Sequence, residues 1–144
     1  MHNLVAVNDR FLGALALSVV VMGACGGEEN RPATWSYISP AIIQPNCATG
    51  SCHSRAAAVA GVDLSEKTEG WKSLRNQHLP GGRASSYPAE QPARPLVTPG
   101  NPTESRLLNM LRGIGANRMP PDRPLAEADI DLIEAWILKG ANND

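Results

Sequence analysis

Residues 46–54 read N-C-A-T-G-S-C-H-S, from Asn46 through Cys47, Cys52 and His53 to Ser54. Two cysteines stand five positions apart, and a histidine follows the second directly. Thiols and imidazole close disulfides, bind soft metals and attach cofactors. Which of these uses applies decides what the rest of the chain is folded around, and each makes its own demand.

A tetrahedral zinc site needs four ligands, or three and a water. After residue 25 the sequence adds only His78 to Cys47, Cys52 and His53. Adjacent Cys52 and His53 reach a single metal only in awkward geometry. A Cys47–Cys52 disulfide closes a tight loop, eased by Gly50, and leaves His53 without a role. Covalent haem uses all three residues. Two thiols add across the two vinyl groups, and the histidine after the second cysteine is carried under the iron as proximal ligand. The spacing is C-x4-C-H, two residues longer than the usual C-x-x-C-H. The Gly50–Ser51 pair lies where that extra length can bulge outward.

A haem reading demands a sixth iron ligand from elsewhere. Met110 and Met119 are the methionines beyond Cys25. Met110 falls in an apolar helical pattern, where packing is its default role. Met119 sits in R-M-P-P, where Pro120 and Pro121 fix φ and hold an extended strap. Met119 is therefore the expected axial ligand, with His78 as the alternative.

Composition agrees with a small domain that leans on something other than its own core. Of 144 residues, 42% are hydrophobic but only 4% aromatic, and Pro (12) and Gly (13) are frequent. Small cores of this kind draw on a cofactor, a metal or a cross-link, so the chain without cofactor is expected to be poorly ordered. A net charge of −1 with no basic motif gives no case for nucleic acid.

At the N-terminus, Arg10 precedes F-L-G-A-L-A-L-S-V-V-V, too short to span a membrane and fitted to a signal-peptide core. M-G-A-C over residues 22–25 resembles a bacterial lipobox, which makes 1–24 a signal peptide and Cys25 the lipidated first residue of the mature chain. The polar stretch G-G-E-E-N-R then reads as part of a tether, with residues 25–33 as lipidated cysteine and tether and 34–144 as the folded domain. Export removes Cys47 and Cys52 to an oxidising compartment, where a free dithiol does not persist.

The mature pattern is all-α. Trp35, Ile38, Ile42 and Ile43 have a broken helical spacing, which Pro40 and Pro45 limit to short pieces. A helix is expected over 65–76 and a surface loop over 79–100, dense in proline and glycine. Asn101, Pro102 and Glu104 form a capping-box pattern, opening a helix with a Leu107, Leu111 and Ile114 stripe that Gly113 can end. The last helix spans about 126–139, with Ile130, Ile133 and Ile137 on one face and Trp136 beside it.

C-x4-C-H, then V-D-L, V-T-P-G-N-P-T-E-S-R-L-L, M-P-P-D and I-E-A-W-I-L-K-G-A together resemble the small monohaem cytochrome c domains of bacterial exported proteins and lipoproteins. The likeness covers residues 35–141. It implies a class I cytochrome c fold, with short helices around one covalent haem c and the first and last helices crossing. Trp136 and Ile133 would then meet Trp35 or Ile38. It also implies a one-electron carrier with Cys47, Cys52, His53 and Met119 as haem-binding residues, and His53 and Met119 as the iron ligands. Leu107, Leu111 and Ile114 would line the pocket. Redox partner proteins would be met at the cell envelope, on the periplasmic or outer-membrane side. Residues 67–118 carry eight Lys or Arg against three Glu. A basic rim there would steer acidic partners, and Arg118 is placed to bond a haem propionate. A haem peroxidase needs an open sixth position and a distal His/Arg pair, neither of which the sequence offers. The remaining alternative is a haem-free lipoprotein of the same fold, with a structural Cys47–Cys52 disulfide and a binding or structural role.

Overall fold

The computed structural model describes residues 30–76 and 95–144, and among these it is helical with no strand. Four helices carry the architecture. The first, α1, is one continuous helical run wound as α over Trp35–Ile38, π over Ser39–Ile43 and α again over Gln44–Cys47. It replaces the separate short pieces expected from Pro40 and Pro45. Proline lacks the amide of a regular turn, and its ring crowds the carbonyl four residues back. A π turn pairs residues five apart, as the Gln44 N–H bonded to Ser39 O does here, and so absorbs the misfit without ending the helix. Side chains close what is left. Gln44 Nε2 donates to the buried Ser39 Oγ at 3.1 Å, and Asn46 Nδ2 donates to Ile42 O at 2.8 Å.

Helix α2 spans Lys67–Asn76, α3 spans Arg106–Arg112 and α4 spans Glu127–Leu138. Glu127 and Asp129 stand at the positive end of α4, as the macrodipole favours. Its apolar face is the expected one, with Ile130, Ile133, Trp136 and Ile137 buried. That face meets Trp35, Ile38, Ile42 and Ile43 of α1 in one core, completed by Leu74 of α2 and by Leu108 and Leu111 of α3. At its centre Trp35 and Trp136 stack with ring centroids 4.8 Å apart. Each indole finds an acceptor: Trp35 Nε1 donates to Lys67 O at 2.7 Å, and Trp136 Nε1 donates to Asn142 O at 2.9 Å. A side chain at Gly70 would press on the Trp35 ring at 3.3 Å, so this glycine lets α2 approach closely.

The region before α3 departs from expectation. Asn101 does accept the Glu104 N–H, at 3.3 Å, but the helix begins at Arg106. Residues 101–104 form a turn, because the buried Ser105 hydroxyl is tied back to Asn101 O (2.9 Å) and Thr98 O (3.3 Å). The stripe shifts too: Leu108 and Leu111 are buried, Leu107 is half-buried, and Ile114 is 62% exposed. Gly113, at φ 68°, ends α3 before Ile114 can complete another turn. Gly113→Ala is expected to cost about 1 kcal/mol, since a left-handed residue gains a Cβ. Urea denaturation measures it, and unchanged stability would refute the role.

Long-range polar bonds tie the helices. Arg112 of α3 reaches Glu127 (3.1 Å), Asp131 (3.1 Å) and Glu134 (2.8 Å) along α4. Hydrogen bonding to Glu134 is the largest cause that raises the guanidinium's affinity for its proton, and partial desolvation opposes it. Arg31 pairs with Asp129, and Ala33 is buried, so two residues of the stretch read as tether pack on the body. The N-terminus of α1 is capped from across the fold, with Trp35 N–H on Asp144 Oδ1 (2.7 Å) and Ser36 N–H on the Asp144 main-chain oxygen (3.0 Å).

Candidate functional site

The cysteine motif starts where α1 stops. Cys47 is the last residue of the helix, and the chain then turns back on itself. Cys52 N–H donates to Thr49 O at 3.0 Å, and His53 N–H donates to Cys47 O at 3.1 Å, so a β-turn is nested inside a wider closure. Thr49, Gly50 and Ser51 are exposed on that turn. The two residues beyond the shorter spacing are thus taken up as an outward bulge. A Cβ at Gly50 would meet nothing within 4 Å, so the bulge does not itself require glycine.

Both cysteines are free and half-buried. Burial, and then the neighbouring Cys52, push the Cys47 thiol up to about 11. It is therefore a neutral thiol at pH 7, with a thiolate fraction on the order of one in ten thousand.

His53 is half-buried, and its Nδ1 is buried without a hydrogen-bond partner. An unpaired buried nitrogen of this kind costs roughly 1–3 kcal/mol, so it is an unfilled demand within the fold. The backbone around it is fully engaged: Leu64 N–H donates to His53 O at 2.7 Å and Val59 N–H to Cys52 O at 3.0 Å. Those donors belong to the segment after the motif, where Ala58 (φ 38°) and Ala60 (φ 57°) are both left-handed. No signal in the sequence marked these two alanines. The V-D-L stretch follows, with Val62 and Leu64 in the core. Asp63 between them accepts from the Ser65 hydroxyl (2.6 Å) and amide (2.9 Å), which hold its carboxyl below the usual range.

Met119 stands apart, on the loop between α3 and α4. It is half-buried and follows α3 through its N–H, which donates to Met110 O at 2.9 Å; the Met119–Pro120 bond is cis. The structure joins Cys47, Cys52 and His53 as one local unit and secures Met119 separately. Arg118 is exposed, with its side chain against Gly113. Cys25, His78 and the signal-peptide region lie outside the described residues. Among the described residues no three His, Cys, Asp or Glu side chains converge on a point that could hold a metal ion. Nor is any helix among them long and apolar enough to cross a membrane.

The donor set fits a c-type haem on chemical grounds. It offers two unbridged thiols on the turn that ends α1, with a histidine directly after the second. Compared with known proteins, the chain matches no family model, no curated protein and no solved structure.

Proposed function

We propose that the chain is a monohaem cytochrome c of the cell envelope, an electron carrier rather than an enzyme, held to a membrane by a lipid on Cys25. The reading includes the class I cytochrome c fold for residues 34–144. What carries it is the placement of Cys47, Cys52 and His53 on one hydrogen-bonded turn at the end of α1, closed by the His53 N–H on Cys47 O. Cys47 and Cys52 would hold one haem by thioether bonds, and His53 and Met119 would be its axial ligands. When bound, that group supplies one-electron chemistry between ferrous and ferric iron.

The chain's own part is to hold the ligands still. Cys47 is fixed by the helix it ends, Cys52 by its N–H on Thr49 O and the Val59 N–H on its carbonyl, and His53 by its N–H on Cys47 O and the Leu64 N–H on its carbonyl. Met119 is fixed by its amide on Met110. A ligand set that stays in place has little to reorganise on gain or loss of an electron. The Met119 thioether is a soft donor that favours the lower charge, which raises the potential.

The direct test is a visible spectrum of the exported, matured protein, followed by extraction with acidified organic solvent. Sharp low-spin bands in the reduced form, with colour that stays on the polypeptide, support the reading. A colourless folded protein whose mass is short by two hydrogens would overturn it in favour of the Cys47–Cys52 disulfide lipoprotein. Met119→Ala is expected to abolish the sulfur-to-iron band of the oxidised form while covalent colour is retained. Persistence of that band would assign the sixth position to another residue.

A further inference from the structure

His53 is held by its backbone and not by its ring. Its N–H is bonded to Cys47, its carbonyl accepts from Leu64, and the preceding carbonyl accepts from Val59. Nδ1, the atom through which a ligating histidine is ordinarily oriented, has no partner. The turn over residues 58–61 brings the Val59 and Leu64 amides to the motif, closed by Gly61 N–H on Ala58 O at 2.7 Å. It does so in a disfavoured conformation. Ala58 and Ala60 are left-handed, as is Gly61 at φ 74°, and Val59 between the alanines is 48% exposed. Left-handed alanine crowds its Cβ against the backbone. Core packing accounts for Val62 and Leu64, both buried, but for neither alanine and not for the exposed valine. Strain kept where packing does not require it points to a geometry that the adjoining residues need.

We propose that the left-handed turn over residues 58–61 is the positioning element of His53, presenting two amides to the Cys52 and His53 carbonyls so that the imidazole is aimed without a bond to Nδ1. The inference rests on the reading of His53 as an axial ligand. It makes Ala58 and Ala60 positioning residues rather than ligands.

The experiment uses the full exported chain, and the wild-type spectrum is read first. A colourless wild type overturns the haem reading and this inference with it. With coloured protein in hand, two variants separate the turn's conformation from its mere presence. Ala60→Val places a β-branched residue where the left-handed region excludes it, and Ala60→Gly keeps that region freely. In Ala60→Val, amide exchange at Val59 and Leu64 followed by NMR is expected to accelerate at least tenfold, with Ile133 and Ile137 on α4 unchanged. The low-spin ferric fraction, read by electron paramagnetic resonance, is expected to fall at least twofold. Ala60→Gly is expected to match wild type in both. Faster exchange with an unchanged low-spin fraction would overturn the positioning role and leave the haem reading standing. So would an Ala60→Val protein indistinguishable from wild type in exchange.

Discussion

Trp136→Ala is expected to lower the stability of the domain by about 3–5 kcal/mol, the range for truncating a buried tryptophan. Trp136 is 1% exposed and Trp35 is fully buried, and the two are stacked at 4.8 Å. The change removes a ring from the point where α1 and α4 meet, leaves a cavity, and takes away the donor to Asn142 O. The stacked geometry adds roughly 0.5–1.5 kcal/mol beyond burial. Against a total of ~5–15 kcal/mol for a domain, such a loss leaves the fold marginal. Urea denaturation followed by far-UV circular dichroism measures it, with Trp136→Phe expected to recover most of the loss. A cost under about 1 kcal/mol would show that the indole pair is not the centre of the core.

In Cys47→Ala/Cys52→Ala, haem retained on the polypeptide after acid extraction is expected to fall to none, because no thiol remains for either thioether. The matured chain should then show only the mass of its residues. The haem-free variant is also expected to lose at least half of the helical signal of the loaded protein. The chain is small and aromatic-poor, and domains of this kind lean on a cofactor. Covalent colour surviving the double substitution would refute attachment at Cys47 and Cys52. Native-like helicity in the colourless variant would instead show that the cofactor is no part of what stabilises the fold.

Much of this was legible in the chain because it is written in local spacing. Ile130, Ile133 and Ile137 recur on one helical face, and α4 forms over Glu127–Leu138 with that face buried. The helix expected over 65–76 forms as Lys67–Asn76, and Gly113 ends α3 as a glycine past a helix should. Local rules misled where a side chain had a stronger partner elsewhere. The Asn101 capping pattern makes its bond to Glu104, yet the Ser105 hydroxyl holds that segment as a turn and delays α3 to Arg106. Leu108 joins Leu111 in the core, while Ile114 lies beyond the helix that Gly113 ends and is exposed.

The sequence by itself determined the helical class, the face of α4 and the local unit of Cys47, Cys52 and His53, since each depends on residues within a turn or two of one another. Only the tertiary structure decided the rest. Pro40 and Pro45 are carried inside a continuous α1 by a π turn whose Ile42 and Ile43 are buried in the core. The first amides of α1 are capped by Asp144, more than a hundred residues away. Two alanines take the left-handed region in a turn whose neighbours, Val59 and Leu64, bond back to Cys52 and His53. No local propensity predicts these three arrangements. Each is disfavoured or unmet in an isolated segment, and each is sustained by bonds and burial that exist only once distant parts of the chain have come together.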